Sequence, residues 1–197
     1  MPVDEQNFQC IPKNASLKDL AHFKLYEWAG NQLPGGWVVE IGSEMGFGLP
    51  LLEREDRKLI GLEIRFGELL FSKFATQSCQ VPIRISADAS AIPLPEDSMS
   101  GVCMLNVLHL VPSPEIVLDE CRRVLKTNHP LVIAVPTDYN LPDAWRIPNE
   151  KEHLRGLVKS VFSNVEMSYA DDRIEVPVKN IQGEQHGWLA AICTITE

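Results

Sequence analysis

The stretch WVVEIGSEMGFG, residues 37–48, decides the fold. An apolar run that ends in an acidic residue and is followed by three glycines reads as a buried strand turning into a helix. Val38, Val39 and Ile41 are β-branched and suit a strand covered on both faces, while Gly42, Gly46 and Gly48 let the backbone turn sharply and approach a ligand closely. Residues 49–52 then begin a helix, with Pro50 tolerable in its first turn. The free amides of that helix N-terminus are expected to point at the same crevice as the turn.

Working outward, Ser16 can cap a helix through about Ala29, since Leu17, Leu20, Ala21, Leu25 and Trp28 recur at helical spacing and Gly30 sits where a left-handed stop belongs. This opening helix is placed to cover one edge of the crevice, and residues 33–36 turn from it into the first strand. On the other side, KLIGLE (58–63) reads as a second strand ending in an acid, followed by a helix over about 66–77. VPIRIS (81–86) fits a third strand near a sheet edge, because Pro82 cannot donate to a ladder. A polar, proline-punctuated loop follows.

GVCMLN (101–106) is apolar on both faces and suits a central parallel strand. A helix capped by Ser113, with Pro114 and Glu115 in its first turn, runs to near Asn128 and buries Val117, Leu118, Cys121, Val124 and Leu125. Residues 131–135 form a fifth strand. The connection TDYNLPDAWRIP (137–148) leaves its carboxyl end, where long loops often carry function. Asn149 and Glu152 can form a capping box for a helix with the stripe Leu154, Leu157, Val158, Val161 and Phe162. Residues 164–169 and 187–196 read as two strands with no helix between them, which should pair antiparallel.

The chain has 197 residues, 45% hydrophobic and 23% charged, ordinary for one globular core. A formal net charge of -9 argues against a broad surface for nucleic-acid phosphates and favours a small-molecule or protein partner. The five cysteines are scattered without a CxxC pair, so they read as free thiols of a reducing cytoplasm and not as metal ligands. The N-terminal residues lack a basic region with an apolar core, and no apolar run is long enough to span a membrane; a cytoplasmic protein is expected.

Together, the glycine turn after the first strand, the acid ending the second, the polar loop after the third and the closing antiparallel pair resemble the class I S-adenosylmethionine-dependent methyltransferases. The resemblance spans roughly residue 37 to the C-terminus. It is most specific for the branch called methyltransferase type 11, over ADASAIPLPEDSMSGVCMLNVLHLVPSPEIVLDECRRVLK, residues 87–126. It implies a Rossmann-like α/β three-layer sandwich with a seven-stranded, mostly parallel sheet and an antiparallel C-terminal strand. The chain would then be a single domain, with residues 1–36 a helical cover and 37–197 the cofactor-binding core.

The resemblance also implies roles. Glu40 and the turn Gly42, Ser43, Glu44 and Gly46 would hold the methionine part of S-adenosylmethionine. Glu63 would accept hydrogen bonds from both ribose hydroxyls, because a carboxylate offers two acceptor oxygens. Asp88 and the backbone at Ala89 would meet the adenine edge, Ile64 would pack on its face, and Asn106 would lie near the transferred methyl. His109 follows closely and is either a general base or a residue that packs and shapes the pocket. Tyr139, Trp145 and Arg146 would offer apolar walls and an anion fork to the acceptor.

One position departs from the family pattern: Glu44 stands where a middle glycine is usual, and if that site is left-handed its Cβ costs about 1 to 2 kcal/mol. The expected activity is methyl transfer to a small molecule by in-line displacement, leaving S-adenosylhomocysteine. The alternatives are a degenerate, non-catalytic binding or regulatory protein of the same fold and, last, a nicotinamide dehydrogenase, whose pyrophosphate Glu44 would repel.

Overall fold

The computed structural model describes residues 17–75, 83–136, 151–169 and 188–195. The strands are β1 (Gly36–Ile41), β2 (Arg57–Glu63), β3 (Ile83–Ser86), β4 (Gly101–Leu105), β5 (Leu131–Pro136), β6 (Asn164–Tyr169) and β7 (Trp188–Thr194). They form one seven-stranded sheet in the order β3-β2-β1-β4-β5-β7-β6. The pairs from β3 across to β5 are parallel, and β7 runs antiparallel to both β5 and β6. The seven-stranded, mostly parallel sheet and its antiparallel closing strand are therefore as expected. The strand order reverses between β1 and β4, which opens a crevice at their carboxyl ends.

The middle of the sheet is buried on both faces: β4 and β5 are buried at every position and carry apolar residues throughout, apart from Gly101. On one face Val39, Ile41, Val102, Met104, Leu131 and Ile133 pack with Val117, Leu118 and Cys121 of helix α4 (Pro114–Val124) and Leu154 and Val158 of helix α5 (Lys151–Lys159). On the other, Val38, Leu59, Cys103, Leu105, Val132 and Ala134 pack with Leu25 and Ala29 of helix α1 (Leu17–Gln32). The alternation puts odd- and even-numbered residues of one strand into different layers.

Four details differ from the sequence reading. Helix α1 does not stop before Gly30 but continues to Gln32. Gly30 serves close packing instead, since a Cβ there would lie 3.2 Å from the carbonyl oxygen of Leu51. Helix α2 is the single turn Leu49–Leu52, because Glu53 is already extended. Ser113 makes no side-chain cap to α4. That helix ends at Val124, short of Asn128, because Leu125 turns extended and bridges to Met99, which carries its side chain into the core. Ser16, Asn149 and the connection 137–148 lie outside the described residues, as do 76–77 at the end of helix α3 (Phe66–Ala75) and 81–82 at the start of β3.

Arg57 ties the α1 layer to the sheet. It is only 3% exposed, yet its guanidinium faces carbonyls and not a carboxylate. It donates to Leu52 at 2.5 Å, Pro34 at 2.9 Å and Gly30 at 3.0 Å, and also to Leu33. These carbonyls end two helices and begin the turn into β1, so one side chain satisfies groups that helix termini leave open. Arg57→Met should therefore destabilise the protein by about 3 kcal/mol or more, since the stem can still pack but the buried carbonyls lose their donor. Urea unfolding measures this; a loss below about 0.5 kcal/mol, the range of a surface change, would contradict it.

Candidate functional site

A cavity of about 780 Å³ opens at the carboxyl ends of β1, β2 and β4. Of the residues singled out from the sequence, Gly42, Ser43, Glu44, Glu63, Ile64, Asp88, Ala89 and Asn106 line it. They come from four separate segments of chain, brought together by the sheet order.

The turn after β1 is tighter than its glycines alone suggest. Gly42 and Gly46 have φ of 74° and 75°, and Glu44 has φ of 46°. The condition set for Glu44 is thus met: its position is left-handed. Its side chain is paired, with Arg65 Nη2 3.1 Å from Glu44 Oε1. Four of the turn's amides are committed within the protein: Gly42 and Ser43 donate to the Leu62 carbonyl, Gly46 to the Ser43 carbonyl, and Glu44 to Glu63 Oε2 at 3.0 Å. Leu49, Leu51 and Leu52 of α2 likewise donate back into the turn. The expectation of free helix amides aimed at a ligand is corrected here: a one-turn helix spends them on its own loop.

Glu63 is 3% exposed and holds two loops at once. Its Oε2 accepts from the Glu44 amide, and its Oε1 accepts from the Arg65 amide at 2.8 Å. Arg65 Nε also donates to Oε1 at 3.3 Å, so of the roughly four acceptor positions of a carboxylate one remains, on Oε2. Ile64 beside it is 63% exposed, an apolar side chain displayed on the wall. Asp88 uses Oδ1 to accept from the amide and hydroxyl of Ser90, both at 2.8 Å, and these bonds hold its carboxyl below the usual range.

Glu40 lies behind the wall and not on it. It is 1% exposed within β1, and its Oε1 accepts the hydroxyl of Tyr26 from α1. Burial pushes its carboxyl up to about 7, against the opposing Tyr26 hydrogen bond, with Glu44 and Glu63 adding to the rise. Glu40 Oε2 and Ser43 Oγ are both buried without a hydrogen-bond partner. His109 is 5% exposed in a 3-10 turn at Leu108–Leu110, outside the residues that line the cavity, and burial lowers its pKa. The structure thus does not bring it to the cavity wall. Tyr139, Trp145 and Arg146 lie outside the described residues.

Asn106 ends β4 in a left-handed conformation, φ 57°. Trp188 Nε1 of β7 donates to its Oδ1 at 2.8 Å, and its Nδ2 lies 2.9 Å from His22 Nε2 of α1. An indole N–H only donates, so Asn106 presents its oxygen to Trp188 and its amide hydrogens to His22, whose Nε2 must then be the unprotonated nitrogen. His22, Phe23 and Tyr26 line the cavity, though the sequence reading assigned them nothing. Their signal was weak: three polar or aromatic residues among the apolar positions of the opening helix. Among the described residues, no group of His, Cys, Asp or Glu is placed to hold a metal ion, and no helix is long and apolar enough to cross a membrane.

Two buried polar atoms at the turn lack partners, and the backbone is cut close: a Cβ on Gly42 would stand 2.2 Å from Val107 Cγ2, and one on Gly48 would stand 2.0 Å from the Tyr26 ring. Gly48 has φ of -79°, so its only objection to a side chain is Tyr26. Gly48→Ala should cost about 1 to 3 kcal/mol, the usual range for overpacking. Gly67→Ala in α3, where nothing lies within 4 Å, should be neutral or gain about 0.4 to 1 kcal/mol. Equal effects in denaturant unfolding would contradict the close approach.

A pH dependence follows from Glu40. Its folded pKa is raised, so its contribution to stability is fully present below the ordinary glutamate value and is lost as pH rises through about 7. Between these limits thermal stability should fall with pH in the parent and fall less in Glu40→Gln; parallel curves would show that Glu40 titrates normally.

The family model described as Methyltransferase domain matches residues 39–133. Among curated proteins, none matches the chain by sequence. Among solved structures, the [4+2]-cyclase SpnF superposes with a TM-score of 0.71 at 11% identity, covering 93% of this chain and 86% of that one. A possible histamine N-methyltransferase from Thermotoga maritima gives 0.63 at 20%, covering 89% and 91%. A phosphoethanolamine N-methyltransferase from Haemonchus contortus, solved with phosphomonomethylethanolamine and S-adenosylhomocysteine, gives 0.68 at 12%, covering 95% of this chain and 62% of its own.

Proposed function

We propose, from the match of residues 39–133 to the Methyltransferase domain family and from the fold, that this chain is a class I, type 11-like methyltransferase that transfers a methyl group to a small-molecule acceptor by in-line displacement. Its cofactor is S-adenosylmethionine, which supplies a methyl group already activated by positive sulfur. The observation that carries this reading is the character of the turn after β1. Its amides at Gly42, Ser43, Glu44 and Gly46 are spent inside the protein, and the buried acid Glu40 beside it has one oxygen without a partner. A pyrophosphate needs free amides and no such acid, which disfavours a dinucleotide. An amino-acid ammonium needs the reverse.

The chain's own groups then divide the work. Glu40, Gly42, Ser43, Glu44 and Gly46 hold the amino-acid end, Glu63 the ribose diol, and Ile64, Asp88 and Ala89 the adenine. Asn106, fixed by Trp188 and His22, shapes the wall where the two reactants meet. Phe23, Leu110, Val111 and Pro112 add apolar surface that excludes water there. Tyr139, Trp145 and Arg146, in the segment that follows β5, are proposed to complete the acceptor's surroundings. The non-catalytic alternative drew on Glu44, and its pairing with Arg65 removes much of that motive.

Isothermal titration with S-adenosylhomocysteine tests the proposal. The parent should bind it and should not bind a nicotinamide dinucleotide. Glu63→Ala should weaken binding by about 1.5 to 3 kcal/mol, the range for hydrogen bonds to a charged group. Glu44→Gly should bind at least as tightly, since it relieves the left-handed residue. Unchanged affinity in Glu63→Ala would remove the ribose assignment.

A further inference from the structure

The buried carboxyl group of Glu40 has one oxygen satisfied and one not. Strand pairing seats Glu40 between Gly61 of β2 and Cys103 of β4, on the face that α1 covers. The groups that act on it are all acids: Tyr26 from α1, Glu44 from the turn and Glu63 from β2, while the Cys103 thiol, raised chiefly by its own burial, feels Glu40 in turn. The nearby cations are engaged elsewhere, Arg65 with Glu44, Glu63 and Glu68, and Arg57 with backbone carbonyls. A buried carboxylate without a cation or a second donor is costly, so burial favours a proton on this group.

Resting on the function proposed above, we propose that Tyr26 is a positioning residue for the ligand's cationic end: its hydroxyl occupies Glu40 Oε1 from inside the fold, leaving Oε2, which lies behind the lining residues, to balance from there the charge of a cation at the glycine turn, and ligand binding exchanges a proton on Glu40 for the ligand's ammonium. The exchange balances simply. The carboxyl O–H bond breaks, the proton leaves to the buffer, and the ammonium brings the compensating charge. Tyr26 is suited to this because it both lines the cavity and bonds the buried acid, and because Gly48 leaves room for its ring. The raised Glu40 carboxyl, titrating at about 7 with Tyr26 as the influence that opposes burial, puts the exchange in the neutral range.

The test is calorimetric binding of S-adenosylhomocysteine from about pH 6 to 8.5, in buffers of different ionisation enthalpy, to the parent, Tyr26→Phe and Glu40→Gln. The parent should release close to one proton at the acid end, with affinity climbing up to about tenfold per pH unit and levelling above neutrality. Tyr26→Phe keeps the ring but loses the bond that lowers the Glu40 pKa. Its rise in affinity should move to higher pH and converge with the parent at the alkaline end. Glu40→Gln should show only the ligand's own amine titration.

A merely structural Tyr26 would lower affinity by one factor at every pH, and that result overturns the proposal, as does binding by the parent without proton release. Infrared titration of the ligand-free proteins gives a second readout. The protonated carboxyl band should disappear near neutral pH in the parent, be missing in Glu40→Gln and persist to higher pH in Tyr26→Phe; the same midpoint in parent and Tyr26→Phe overturns the role of Tyr26. If the parent binds no adenosyl ligand at any pH, the proposed function falls, and the infrared midpoints still decide for or against Tyr26.

Discussion

The carboxylate of Glu63 is the interaction on which the site depends. It ends β2, is almost wholly buried, and accepts one backbone amide from the turn after β1 and one from the loop after β2. Parallel strands cannot join their loops through ladder hydrogen bonds, because those bonds end where the strands end. A side-chain acid with several acceptor positions can do so. By holding Glu44 and Arg65 together, Glu63 also brings Arg65 against Glu44, which neutralises the charge that the glycine turn would otherwise carry unopposed.

The helix before the sheet lines the cavity beside the glycine turn, through His22, Phe23 and Tyr26. Three contacts bind it there: Arg57 to the carbonyls at its end, Tyr26 to Glu40, and His22 to Asn106. The last two reach the carboxyl ends of the two strands between which the sheet order reverses. A helix that only covered a sheet face would need apolar contacts alone, as Leu25 and Ala29 make. The polar contacts of His22 and Tyr26 make this one part of the wall.

The fold was legible because its signals are local and repeated. Strands such as LVIAVP show burial on both faces by composition, and Pro114 with Glu115 marks a helix start whatever lies around it. The candidate site was legible where a residue type answers a backbone need, as at Gly42, Gly46 and Glu63, and by family resemblance at Asp88 and Asn106. It was not legible where two distant segments make a contact. Nothing near Tyr26 in the chain says that its ring fills the space left by Gly48, and nothing near Arg57 says that a surface-type residue is buried on carbonyls. His109 illustrates the converse: closeness in sequence to Asn106 left a base and a packing residue both open, and its burial in a 3-10 turn favours packing.

The amino-acid sequence alone determined the alternation of strands and helices, the antiparallel close and the positions of the turn glycines. Periodicity and turn chemistry depend only on neighbours a few residues apart. Tertiary structure decided which polar atoms would be satisfied. It gave the amides of the glycine turn to the protein itself, left one oxygen of Glu40 unmatched, and set the orientation of Asn106 by an indole from the far end of the chain. The physical reason is that hydrogen bonding in a dry interior is settled by distance and direction between groups, which sequence separations of 19 between Glu44 and Glu63 or 82 between Asn106 and Trp188 do not encode.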